Sequence, residues 1–213
     1  MAKLSQGILG GISGKVGTVV GGSWKGIDYI RSKPAQVANP RTEGQVAQRT
    51  KFSATIEFLQ PLNPFLKIGY KNYANKKTAF NAAMSYVLQN AITGTAPNFT
   101  VDYQNALVSR GSLTKALNPN AVSTNVAEID FTWSNNAGSG NALATDKAML
   151  VVYNPSDKSA TYTTAGADRS TGAATIQVPA TFSGDNVEVY IAFISADGVA
   201  VSDSIYVGQI TVA

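Results

Sequence analysis

Neither histidine nor cysteine occurs among the 213 residues. The side chains that most often act as general base, thiol nucleophile or transition-metal ligand are therefore missing. Serine–histidine and cysteine–histidine catalysis are excluded, which leaves carboxylate pairs, Ser–Lys dyads and oxygen-ligated Ca²⁺ or Mg²⁺. Asp146, Asp157, Asp168, Asp185, Asp197 and Asp203 fall in stretches rich in Gly, Ser, Asn or Lys, where turn formation by the Asp side chain explains them. A Ca²⁺ loop needs several oxygen ligands at ordered spacing, and a glycosidase needs two carboxylates in one cleft. The spacing of these six supports neither. Gly10-Gly11-Ile12-Ser13-Gly14-Lys15 invites comparison with a phosphate-binding loop, whose glycine amides, Lys and hydroxyl each have a task. Here the first glycine falls on Leu9, the hydroxyl position is Val16, and no strand is expected before it. No catalytic residue, cofactor or metal ligand is assigned, and a non-enzymatic protein is expected.

Chemistry of another kind is concentrated in Lys15 to Pro34, KVGTVVGGSWKGIDYIRSKP. Val16, Thr18 and Val20, then Ile27, Tyr29 and Ile30, read as two strands bent around Gly21 and Gly22, because Gly-Gly supplies the positive φ of a tight hairpin. A lone hairpin is marginal in water, so this one needs a surface to lie on. Val16, Val20, Trp24, Ile27, Tyr29, Ile30 and Arg31 are the candidate interface residues, with Trp24 as an anchor of the type enriched in interface hot spots. Trp24-Lys25 and Arg31-Ser32-Lys33 also place cations beside aromatics, as a nucleic-acid surface would.

Charge is divided along the chain. Residues 1–77 hold 12 Lys/Arg against Asp28, Glu43 and Glu57, a net +9; the remaining 136 carry 5 basic and 10 acidic side chains, a net −5. Head-to-tail attraction between copies fits this pattern, and so does a basic module facing nucleic acid. The start, MAKLSQGILGGISGK, is interrupted by Ser5, Gln6, Gly10, Gly11 and Ser13 and has no unbroken apolar run of signal-peptide length. A classical signal peptide is not expected. Location is then cytoplasmic, in a virion or extracellular by a non-classical route. No segment approaches the ~20 apolar residues of a membrane span.

Three regions follow from the pattern. Residues 1–38 form a docking arm, with 1–14 an extended or irregular tether before the hairpin. Residues 39–97 are helical. Asn39-Pro40 followed by Thr42 and Glu43 opens a helix whose apolar face is Val46, Phe52, Ile56 and Leu59 together with Arg49, until Pro61. A short turn or helix covers Phe65 to Tyr73, where Phe65, Tyr70 and Tyr73 alternate with Lys67 and Lys71. A second helix runs over 78–92 with Phe80, Ala83, Met84, Val87, Leu88 and Ile92 at helical spacing. Residues 98–213 carry β-branched and aromatic runs, separated every 8–15 residues by Gly, Asn, Pro or Asp, at Phe99–Tyr103, Gly111–Lys115, Ala127–Trp133, Ala148–Tyr153, Ser159–Thr164, Thr175–Val178, Val187–Ile194 and Ile205–Val212. That count predicts an antiparallel immunoglobulin-like β-sandwich, with Trp133, Tyr153, Phe182, Tyr190, Phe193 and Tyr206 supplying core aromatics. The fold class is α+β, mainly β.

The chain also resembles a bacterial family of about this length known only as a domain of unknown function. The phrases that carry the resemblance run nearly end to end: GILGGISGKVGTVVGGSWKGIDYIRSKP, TAFNAAMSYVLQNAITG, SRGSL, FTWSNN, VVYNP and FISADGVAVSDSIYVGQI. It implies no activity and no site residues, only that arm, helices and sandwich form one unit.

The expected function is a structural subunit that self-assembles into a filament, tube or virion or capsid accessory, its arm adding a strand to another copy. The expected partners are other copies of itself and a larger cell-surface or phage-like assembly. Alternative expectations are a nucleic-acid-binding module using the basic first third, and a carbohydrate- or surface-binding sandwich using Tyr103, Tyr162 and Trp133.

Overall fold

The structure is a computed structural model that describes residues 3–4, 10–24, 26–36 and 41–213. It divides into two compact units, Met1–Arg41 and Thr42–Ala213.

In the first unit, β1 (Lys3–Leu4), β2 (Ile12–Val16), β3 (Val19–Trp24) and β4 (Ile27–Ser32) form one antiparallel sheet in chain order. The tether expected over residues 1–14 is therefore strand at Lys3–Leu4 and from Ile12 onward. The bend expected at Gly21-Gly22 lies elsewhere. Gly17-Thr18 joins β2 to β3 with Gly17 at φ +55°, and Gly26, at φ +83°, sits in the turn before β4. Gly21 and Gly22 are inside β3 instead. A Cβ on Gly21 would overlap the Ile12 carbonyl, and Tyr29 packs over Gly22, its hydroxyl 3.2 Å from where a Cβ would be. These two glycines let strands approach and an aromatic ring cover bare backbone. Lys15 lies within β2, paired to Val20, so the phosphate-loop comparison ends in a sheet; Leu9 and Lys25 lie outside the described residues.

The second unit begins with α1 (Glu43–Leu59), α2 (Asn63–Gly69) and α3 (Ala79–Asn90). Thr42 caps α1, its Oγ1 accepting from the Gln45 N–H at 3.4 Å, while Asn39-Pro40 lies outside the described residues. Thr78 caps α3 in the same way, accepting from Asn81 at 3.1 Å. The buried residues of α1 are Thr55, Phe58 and Leu59, and Phe52 is exposed. Of the expected apolar face, Leu59 is buried and Ile56 packs against the core; Thr55, which reads as polar, joins them in place of Phe52. Its hydroxyl donates to the Lys51 carbonyl at 2.8 Å, which satisfies it inside the helix and frees the methyl for the core. Phe65 and Tyr70, expected among alternating lysines, are fully buried, and the Tyr70 hydroxyl donates to the Leu107 carbonyl at 2.9 Å.

β5 (Ile92–Thr95) and β6 (Asn98–Val101) pair as a two-stranded hairpin. The first expected sandwich strand thus belongs to a separate sheet. Gly111–Lys115 is not a strand either. It is held by single contacts, the Gly111 N–H to Asp203 Oδ1 at 3.0 Å and the Leu113 N–H to the Val201 carbonyl at 3.0 Å. The sandwich is made by β7 (Leu117–Val122), β8 (Glu128–Ser134), β9 (Lys147–Asn154), β10 (Ser159–Thr163), β11 (Ala173–Gln177), β12 (Asn186–Ile194) and β13 (Ile205–Thr211). One sheet has the order β10-β9-β12-β13 and the other β11-β8-β7. Every pairing in the two is antiparallel. The sequence does not announce β7, because Leu-Asn-Pro-Asn reads as a turn; a register break between Leu117 and Asn120 accommodates Pro119 on this edge strand.

The layers explain why β9 and β12 show no alternation. Leu150, Val152, Val189, Ile191 and Phe193 pack against Ile129, Phe131, Trp133 and Ile176 of the other sheet. Met149, Val151, Tyr153, Tyr190 and Ala192 face the opposite way, into a core shared with the helices. A strand covered on both faces reads as a continuous apolar run, here AMLVVY and VYIAF. Among the described residues no helix is long and apolar enough to cross a membrane.

Candidate interaction site

The register of the first unit distributes the seven interface candidates. Cross-strand partners share a face of a sheet and neighbours along a strand alternate. Lys15↔Val20↔Arg31, Gly22↔Tyr29 and Trp24↔Ile27 therefore lie on one face. Val16↔Val19↔Ser32, Gly21↔Ile30 and Ser23↔Asp28 lie on the other. Five of the seven, Val20, Trp24, Ile27, Tyr29 and Arg31, come together; Val16 and Ile30 do not join them. Trp24 is 65% and Ile27 68% exposed, values far above those of a core residue. Tyr29, Ile30 and Val16 are exposed as well. A thin sheet with apolar side chains open on both faces buries little of what stabilises a sheet.

The outer edge adds a second feature. β4 ends its sheet, pairing with β3 alone among the described strands, and all six of its residues are exposed. The Lys33 N–H donates to the Thr18 carbonyl at 2.7 Å. Hydrogen-bonded and non-bonded pairs alternate along an antiparallel ladder, so the N–H and C=O groups of Asp28, Ile30 and Ser32 point away from β3. Such a row is a template for another strand.

Several groups in the second unit that could do chemistry are tied into the fold, while Oδ1 of Asp146 is buried with no hydrogen-bond partner among the described residues. Asp146 and Arg169, both with no exposed side-chain surface, form an ion pair of 3.1 Å. Arg169 also donates to Asn136 Oδ1 (2.8 Å) and to the carbonyls of Thr114 (2.8 Å) and Lys115 (3.3 Å). Its guanidinium carbon lies 3.8 Å from the centre of the Phe193 ring. Desolvation lowers the Arg169 pKa, and the charge of Asp146 offsets only part of that lowering. Of the loop aspartates, Asp168 pairs with Lys147 at 2.6 Å and Asp203 with Lys115 at 3.2 Å. Glu188, almost fully buried, accepts from the Tyr206 hydroxyl at 2.6 Å and from Gln209 Nε2 at 2.9 Å. Beside it the Tyr190 hydroxyl donates to the Tyr103 carbonyl at 2.8 Å, and burial pushes the Tyr103 phenol up to about 12. Trp133 is buried, its indole N–H donating to the Arg169 carbonyl at 2.8 Å, so it is no part of an exposed aromatic platform. Tyr162 is half-buried against Phe65, with ring centres 5.8 Å apart. Sequence reasoning did not find the Arg169 cluster: its members lie 23 to 55 residues apart and no motif joins them.

The chain is similar to the solved fn3 domain of human collagen alpha-1(XX) chain at 14% identity and a TM-score of 0.35, over 49% of this chain and 93% of that one. No curated protein matches it. A family model matches residues 11–208, from the arm into the last strand, and the chain accordingly belongs to the Family of unknown function (DUF6266).

Proposed function

We propose that this protein is a non-enzymatic structural subunit that assembles with further copies of itself into a filament, tube or virion-type accessory, through its N-terminal sheet. The observation that carries this reading is the β4 edge: an outermost strand with every residue exposed, backbone groups of Asp28, Ile30 and Ser32 turned outward, and Trp24, Ile27 and Tyr29 together on one adjoining face. Strand addition supplies affinity through main-chain hydrogen bonds and specificity through alternate side chains. The Ile30→Pro variant removes one outward N–H while leaving the β3 ladder donors in place. It is expected to weaken association roughly a hundredfold, as a cost of about 3 kcal/mol would when the facing carbonyl loses its donor in the contact. Light scattering across a concentration series checks this; association equal to that of the unmodified chain would count against the reading.

A second reading, nucleic-acid binding, is favoured by Lys15 and Arg31 sharing a face with Trp24 and Tyr29. Cations beside stacking rings suit a single strand. Fluorescence anisotropy with a labelled oligonucleotide tests it. This reading expects affinity to fall steeply with salt as counterions are released, and the absence of binding at low salt removes it.

A further inference from the structure

We infer that the β4 edge is received by β11 of a second copy, so that the contact is head-to-tail; this rests on the self-assembly reading above and names the other half of its interface. The sandwich has four outer strands, β10, β13, β11 and β7. β7 carries Pro119, Asn118 at φ +47° and a register break. β13 faces a register break at Val189/Tyr190 and contains Gly208 at φ +147°. β10 is half-buried along its length, with Tyr162 against Phe65. Bulges, prolines and covering elements are the devices that keep an edge from pairing. β11, Ala-Ala-Thr-Ile-Gln, has none of them and no charge.

The hydrogen-bond phase of β11 matches that of β4. The Trp133 N–H donates to the Gly172 carbonyl at 2.9 Å and the Val178 N–H to the Ala127 carbonyl at 2.9 Å. Even-numbered positions thus face β8, and the N–H and C=O groups of Ala173, Thr175 and Gln177 face outward. These three residues are exposed, whereas Ile176 is in the sandwich core and Ala174 packs against it. Two outward rows with the same two-residue period meet in an antiparallel ladder, in which opposed residues share a face. Asp28, Ile30 and Ser32 then continue the solvent side of the sheet. Ile27 and Tyr29 continue the side of Ala174 and Ile176, which places the ring and the branched chain beside apolar neighbours.

Charge distinguishes this arrangement from its main rival, β4 against the β4 of a second copy. Residues 1–41 hold six Lys/Arg against Asp28, a net +5, and residues 98–213 carry a net −5. Two arms repel each other; arm and sandwich attract. A contact between two different surfaces closes into rings or runs on as filaments, whereas arm against arm stops at a dimer.

Two full-length variants test the pairing. Thr175→Pro removes an outward donor of β11 without touching its bonds to β8, at an edge position where proline is tolerated. Ile30→Pro does the same to β4. Each alone is expected to be monomeric by light scattering, and an equimolar mixture is expected to give dimers of one chain of each kind, since one intact edge remains on either. If Thr175→Pro assembles as the unmodified chain does, or the mixture stays monomeric, the β11 assignment is overturned while the arm's role stands. If Ile30→Pro assembles unchanged, the arm's role itself is overturned and this inference with it. Should Thr175→Pro fail to melt cooperatively, Thr175→Lys serves in its place: it sets a charge on the edge beside Asp130, to which the Thr175 hydroxyl now donates at 2.6 Å, and is expected to block association equally.

Discussion

Replacing Arg169 by Met is expected to lower the stability of the protein by about 4 kcal/mol, the range found when one partner of a buried ion pair is removed. The chain then keeps the Asp146 carboxylate inside the fold with its cation gone. It also strands two acceptors, Asn136 Oδ1 and the carbonyl of Thr114, which now receive N–H groups from the same guanidinium; the Lys115 carbonyl keeps the Asn136 Nδ2 donor at 3.0 Å. Arg169→Lys is the informative companion. A lysine keeps the charge, but its three donors radiate from one nitrogen and cannot reach oxygens that a planar fork serves on several sides. It is therefore expected to recover less than half of the loss. Urea unfolding followed by tryptophan fluorescence reads both, since the indole of Trp133 donates to the Arg169 carbonyl. A loss below about 1 kcal/mol for Arg169→Met, the size expected of an exposed pair, would show that the cluster is not what ties these loops together.

The same cluster marks where the sequence stops being legible. Asp146 reads correctly as a turn residue, and its Oδ2 does accept from the Leu143 N–H at 2.9 Å. Nothing in residues 140–170 announces that Arg169 will be fully buried on it. Pattern reveals what repeats locally: the 3.6-residue spacing of α3 and the apolar runs that become β9 and β12. It failed where tertiary contact overrides local chemistry. Gly21 and Gly22 carry a turn signal yet sit in a strand, because the constraint on Gly21 is the neighbouring Ile12 backbone rather than its own φ. Pro119 carries a breaker signal yet lies in β7, because an edge strand has a side that needs no donor. The candidate interface was legible as a list of residue types, since exposed aromatic and branched side chains near glycines stand out. Its division into two faces was not. That depends on the register, and the register is set by turns at Gly17-Thr18 and before Ile27 that a Gly-Gly bend would have displaced.

Phe58→Ala is expected to have an effect as large as that of the Arg169 variant, for a different reason. The Phe58 ring stands edge-on to Tyr103 and Tyr153, with centres 5.6 and 5.0 Å apart, and is tilted against Tyr190 at 6.4 Å. It is the point at which α1 meets β9 and β12, and it is fully buried. Truncation removes the transfer free energy of the ring and leaves a cavity that three tyrosines cannot all collapse into. The hydroxyl of Tyr190 is tied to the Tyr103 carbonyl, so moving either residue breaks a buried hydrogen bond. About 4 kcal/mol is expected, and for a unit of this size a melting temperature lower by roughly 12 °C. Phe58→Leu, which refills most of the volume, should cost less than half as much. Differential scanning calorimetry of the three proteins decides between this view and one in which the helices are loosely attached. In the second case Phe58→Ala would melt in two steps, helices first, and the sandwich transition would stay where it is in the unmodified chain. A single transition displaced as a whole is the result expected if helices and sandwich share one core.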